Sequence, residues 1–106
     1  MTVFVVLSAR VKATDAEAFE RAFARVRQAV RTVPGHRSDV LLRSPTEPGR
    51  YLLLGVWEST EKFLAWERSA AHRALTEPMR PFWEGSVEWH VFELAIGSPW
   101  GPNSSG

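Results

Sequence analysis

The run Tyr51-Leu52-Leu53-Leu54-Gly55-Val56-Trp57 carries no charge and is apolar at odd and even positions alike. Side chains along a strand alternate between the two faces of a sheet, so a strand of this composition must be covered on both. It follows Pro45, Thr46, Glu47, Pro48 and Gly49, residues that place a reversal before it. On the far side of that turn, 36–44 alternates His36, Ser38, Val40 and Leu42 with Arg37, Asp39, Leu41 and Arg43. This pattern suits a strand near a sheet edge, with one face better buried than the other. Residues 3–10, mostly apolar and β-branched, read as another buried strand. Residues 87–94 read as a fourth, because Val87, Trp89 and Val91 alternate there with Glu88, His90 and Phe92.

Helical spacing fills the gaps between these strands. Thr14 and Glu17 form a capping-box pattern, after which Phe19, Phe23, Val26, Val30 and Val33 recur on one face opposite Glu20, Arg21, Arg25, Arg27 and Arg31. Pro34-Gly35 ends this helix. Ser59 is placed to cap a second helix holding Phe63 and Trp66. Ser69 is placed to cap a third, with Ala70, Ala71, Ala74 and Leu75, that ends near Pro78; Pro81 and Gly85 then bracket an aromatic loop. The order β-α-β-β-α-β predicts an α+β, ferredoxin-like fold: a four-stranded antiparallel sheet with its helices on one face. The opposite face would expose a large apolar patch, and a homodimer packed through the sheet faces is the simplest cover. Residues 1–96 form one domain in this reading, and 97–106, rich in Gly, Ser and Pro, a flexible tail.

Composition removes several classes of function. Thirteen Lys and Arg against twelve Asp and Glu leave a net charge of +1 with no run of like charge, so nucleic acid is not an expected partner. The absence of cysteine excludes disulfides, thiolate metal sites and a thiol nucleophile. Three scattered histidines do not have metal-site spacing, and there is no Gly-rich phosphate loop or nucleophile elbow. No metal and no cofactor are therefore expected. No apolar stretch approaches the ~20 residues of a membrane span, which leaves a cytoplasmic location and no membrane partner as the expectation.

Pro34-Gly35 ahead of the second strand, then Leu54-Gly55-Val56-Trp57-Glu58-Ser59, Phe63, Trp66 and Ser69-Ala70-Ala71-His72, resemble the antibiotic biosynthesis monooxygenase family over about residues 2–95. The resemblance implies a dimeric α+β barrel. Branches of that family include small oxygenases that convert polyketide-type phenols to quinones with O2 and without metal or flavin, and heme-degrading enzymes. The function expected here is a cofactor-independent monooxygenase acting on a small aromatic phenol or quinol. A non-catalytic dimeric module that binds an aromatic ligand, or a heme degrader, is the alternative. The heme-degrading branch carries its iron-binding histidine about one helical turn after His72, where this chain has Thr76, and an asparagine on the first strand, where it has Ser8. Both departures weigh against heme degradation.

The candidate catalytic residues are His72, Trp66 and Ser8, and the candidate substrate-binding residues are Phe23, Phe63 and Trp66. Trp66 shares the apolar face of its helix with Phe63. Core packing explains it as well as a wall that stacks on a flat ligand does. His72 falls three residues after the Ser69 cap, where the positive end of a helix disfavours imidazolium and favours a neutral ring able to accept or relay a proton. Ser8 and Arg10 stand where the first strand turns polar, and the Ser8 hydroxyl could orient a substrate oxygen or simply join a turn. Phe23 resembles the family's aromatic pocket wall and equally suits ordinary core.

Overall fold

In the computed structural model, which describes residues 1–98, the apolar run is strand β3 (Arg50–Trp57). It pairs antiparallel with β1 (Val3–Arg10) on one side and β2 (His36–Arg43) on the other. Strand β4 (Glu88–Glu93) pairs antiparallel with the free edge of β1, giving the order β2-β3-β1-β4. β2 is thus an edge strand, as its half-buried pattern predicts. Beyond residue 98 the expected tail lies outside the described residues.

Helix α1 (Ala16–Val30) buries Phe19, Ala22, Phe23, Val26 and Val30 against the sheet. Each large apolar side chain so buried is worth roughly 1.5–3 kcal/mol. Its start differs from the capping-box expectation: Ala13–Asp15 form a short 3-10 turn, the helix opens at Ala16, and its N-cap Asp15 makes no side-chain cap hydrogen bond. Thr14 is inside that tighter turn and cannot serve as the cap. The caps of α2 (Thr60–Glu67) and α3 (Ala70–Thr76) are as expected, with Ser59 accepting from the Lys62 N–H and Ser69 from the His72 N–H. The stretch read as an aromatic loop begins instead as a 3-10 helix, Glu77–Phe82. Pro81 lies near its end and, having no N–H, donates no helical hydrogen bond there.

Alternation divides the sheet into two unlike faces. Val3, Val5, Leu7 and Ala9 stand opposite Trp57, Gly55, Leu53 and Tyr51, and this face packs under the helices. Phe4, Val6 and Ser8 stand opposite Val56, Leu54 and Leu52 on the other face, where Phe92 is 58% and Leu42 48% exposed. The β2–β3 turn is clamped to the end of β1 by the Val11 N–H donating to the Gly49 carbonyl at 2.8 Å. Gly49 has φ +85°, and a Cβ there would collide with the Val11 carbonyl oxygen, so only glycine fits. Among the described residues no helix is long and apolar enough to cross a membrane.

Candidate active site

The helices leave a cavity of about 610 Å³ above the β4–β1–β3–β2 sheet, partly open to solvent and walled mostly by apolar and aromatic side chains. Trp57, at the end of β3, is its central ring. It stacks on Trp66 of α2 with centroids 6.5 Å apart and an interplanar angle of 25°, and meets Phe63 edge-on at 5.6 Å. Trp89 of β4 closes on Phe63 at 5.4 Å. The Trp57 indole lies over Gly55, where a Cβ would come within ordinary contact distance, 3.4 Å, of Nε1.

Trp66, Phe63, Phe23 and His72, all singled out from the sequence, line this one cavity. Ser8 does not. Leu7 takes the cavity side of β1, so the next residue must point to the opposite face, where Ser8 is exposed beside Leu52 and Glu88. Ser8 therefore cannot act on a ligand that His72 and Trp66 touch. Arg10, two residues on, pairs with Glu47 at 3.5 Å near the β2–β3 turn.

The His72 ring stands edge-on to Trp66, with centroids 5.2 Å apart. Burial, and then the Arg80 guanidinium, push its pKa below the ordinary histidine value, with Glu67 pulling weakly the other way. The imidazole is thus held neutral near pH 7, by desolvation and a neighbouring cation. Arg80 is oriented by its Nε donating to Thr76 Oγ1 at 3.0 Å, and Thr76 in turn donates to the His72 carbonyl at 2.7 Å. The guanidinium carbon lies 5.7 Å from the centroid of Trp83, another wall of the cavity.

A second polar group enters from β2. The His36 Nε2 is 2.8 Å from Asp39 Oδ2, with both side chains more than nine-tenths buried. Arg27 of α1 reaches the same carboxylate, its Nε 3.3 Å from Oδ1. All three residues line the cavity. Strict alternation would put His36 on the open face with Ser38 and Val40. A β-bulge between His36 and Ser38 inserts Arg37 as an extra residue, so His36 falls opposite Trp57 and turns inward beside Asp39. The two rings meet edge-on at 5.2 Å. Nothing in the apolar alternation signals this bulge; the only available hint was a histidine three residues ahead of an aspartate.

Two buried side-chain polar atoms lack a hydrogen-bond partner among the described residues: Asp39 Oδ1 and Trp83 Nε1. Both residues line this cavity. A buried group without a hydrogen bond costs about 1–3 kcal/mol; for Asp39 Oδ1 the Arg27 ion pair at 3.3 Å offsets part of that, and neither atom presents appreciable surface to the cavity space. A more open groove of about 580 Å³ shares Phe23, Arg27 and Asp39 with the cavity and runs past Tyr51 and Arg43. No group of three or more His, Cys, Asp or Glu able to hold a metal ion occurs among the described residues.

The fold, and the cavity between its helices and sheet, can be set beside known proteins. SnoaB, a cofactor-independent oxygenase from Streptomyces nogalater, superposes with a TM-score of 0.77 at 23% identity, covering 92% of this chain and 97% of its own, which establishes the shared fold. MhuD, a heme-degrader from Mycobacterium tuberculosis whose structure holds two hemes in its active site, is 29% identical with a TM-score of 0.76, over 91% of this chain and 98% of its own. Protein SchA of Streptomyces halstedii is 38% identical over 73 residues, 69% of this chain. The chain spans about a fifth of the length of the Streptomyces relatives it matches in sequence (19% in each case). Residues 2–78 match the antibiotic biosynthesis monooxygenase family, taking in β1 through α3 and with them the stacked Trp57 and Trp66 and both cavity histidines. The chain belongs to that family of α+β monooxygenases.

Proposed function

We propose that this protein is a cofactor-independent monooxygenase that oxidises a flat phenolic or quinol-type aromatic with O2, working in the cytoplasm as a homodimer. The observation that carries this reading is the cavity: aromatic walls around about 610 Å³, a size for a fused-ring ligand, with the neutral His72 imidazole among the lining side chains. Trp66, Phe63 and Phe23 hold the rings by contact and stacking. His72, neutral near pH 7, relays a proton between substrate and solvent as the reaction proceeds, and the apolar walls limit the access of bulk water to the ionised ring.

The ionised ring gives one electron to O2, and the superoxide and ring radical so formed recombine as a peroxide on carbon. At an anthrone-type CH2 position the peroxide loses water to leave a carbonyl. CH2 and O2 thereby become C=O and H2O, with no electrons required from the protein. The apolar open sheet face, with Phe92, Leu42 and Val40 exposed, supports packing against a second copy. Sedimentation at micromolar concentration gives the dimer mass on this reading, and a monomer mass refutes that part.

The reaction is tested by oxygen uptake with a panel of anthrones and quinols. The expected result is one O2 consumed per substrate and a quinone product. Binding without oxygen uptake across the panel makes the protein a ligand-binding module instead. The similarity to MhuD favours heme as the other substrate to try; a Soret shift followed by reductant-dependent loss of heme absorbance would replace the phenol reading.

A further inference from the structure

We propose that His36, held by Asp39, is the base that accepts the substrate's phenolic proton, and that the cavity carries two proton-handling stations, one at each side of the stacked indoles. This deepens the reading above and rests on it. His36 packs on Trp57 and His72 on Trp66, so the two imidazoles flank the pair of indoles against which a flat ring would lie.

The two stations have opposite surroundings. His72 shares its corner with the Arg80 guanidinium, a poor neighbour for an imidazole that must gain a positive charge. His36 has a buried carboxylate at 2.8 Å. A carboxylate accepts, so the His36 nitrogen facing it, Nε2, is the one that carries the hydrogen. That leaves Nδ1 with the lone pair in the neutral ring, free to take a proton. The imidazolium formed would be countered by Asp39 in place, with no rearrangement of the site. The charged groups facing His36 are Asp39 from its own strand and Arg27 from α1, and Arg27 holds the same carboxylate from its other oxygen.

The covalent balance is simple. The phenol O–H bond breaks, its electron pair stays on oxygen, and the proton moves to His36 Nδ1. A purely structural His36–Asp39 pair would tie the bulge to β2 and do no more. The two roles predict different behaviour of a bound phenol when O2 is absent.

The probe is 2-naphthol, whose naphtholate absorbs at longer wavelength than the protein, titrated anaerobically near pH 7. Wild type is expected to bind it with a clear naphtholate band. His36→Gln keeps an amide N–H for Asp39 and is expected to bind within about threefold of wild type, with the naphtholate fraction at least tenfold lower. Asp39→Asn keeps the shape and removes the countercharge, and is expected to lose the band to a similar degree, so a poorly folding His36→Gln does not end the test. The inference is overturned if wild type binds the naphthol neutral or not at all, or if either variant ionises it as wild type does. Admitting air separates the two readings. A bound naphtholate in wild type, with no oxygen uptake from any phenol or quinol, removes the oxygenase and leaves His36 as a base.

Discussion

The layer between helices and sheet is solid around Phe19 and hollow around Trp57, although aromatic rings build both regions. At the solid end Phe19 lies 4.9 Å from Tyr51 and 6.1 Å from Phe82, and almost none of its surface reaches water. The one polar tip there is answered within the chain: Tyr51 donates to Glu20 Oε2 at 2.6 Å, and Arg43 donates to the same oxygen at 2.8 Å. Those two donors, Tyr51 first, hold the Glu20 carboxyl below its usual pKa. At the hollow end the rings touch one another but border a cavity of about 610 Å³, and Asp39 Oδ1, although Arg27 Nε lies 3.3 Å from it, and Trp83 Nε1 make no hydrogen bond. Similar side chains thus close a solid core where their polar atoms are hydrogen-bonded within the chain and border a cavity where they are not.

Substitutions that affect only one of the two ends sharpen this contrast. Phe19→Ala empties the solid end and is expected to cost about 3–5 kcal/mol of stability, read as a lower urea midpoint, with turnover per folded molecule unchanged. A drop in turnover at full folding would show that the two ends are not separate. His72→Ala is expected to do the reverse, lowering kcat by about 10² to 10⁴ while ligand affinity and the urea midpoint near neutral pH stay close to wild type. Trp66→Phe, which keeps a ring, should instead weaken affinity more than it lowers kcat. Equal small effects of both would move the chemistry out of this cavity.

His72 also marks the acid side of the stability curve. Its folded pKa is depressed, so as pH falls through the ordinary histidine value the unfolded chain takes up a proton that the folded chain refuses. Stability should fall over that interval and level off below the folded pKa, and His72→Ala should flatten the slope. Tyr51 marks the alkaline side, where the expected effect is smallest near neutral pH. Burial, and then the Glu20 carboxylate, push its pKa up to about 12 from 10.0. The folded state keeps the phenolic proton longer, so this contribution to stability is intact below about 10 and is lost as pH rises toward 12. Tyr51 is the only tyrosine in the chain, so tyrosinate absorbance reads it without interference; ionisation near 10 in the folded protein would show that the Glu20 contact does not persist in solution.

Much of the architecture was legible because it depends on simple periodicities. The apolar, β-branched run of 3–10, the two-sided apolar run of 51–57 and the serines at 59 and 69 each specify an element with little help from the rest of the chain. Trp66, Phe63, Phe23 and His72 were legible as cavity residues because they follow from helix faces and a family resemblance. Ser8 was misplaced by one step of the pleat, which is enough to send a side chain through the sheet. His36, Asp39 and Arg27 were missed as a group. Arg27 belongs by spacing to the polar face of α1 and reaches Asp39 only through the length of its side chain.

The bulge at Arg37 also limits how this strand can be compared with its relatives. Before that residue the inward and outward positions of β2 are out of phase with those after it. A relative with an unbulged strand, matched to this one column by column from Ser38 backward, would set its own inward residue against Arg37 and an outward one against His36. Counting identical letters would then score the wrong pair at the cavity wall. Gain or loss of a single residue at this edge can exchange which side chain the ligand meets while every other wall residue keeps its identity, so the chemistry of the pocket can diverge through strand length as readily as through substitution.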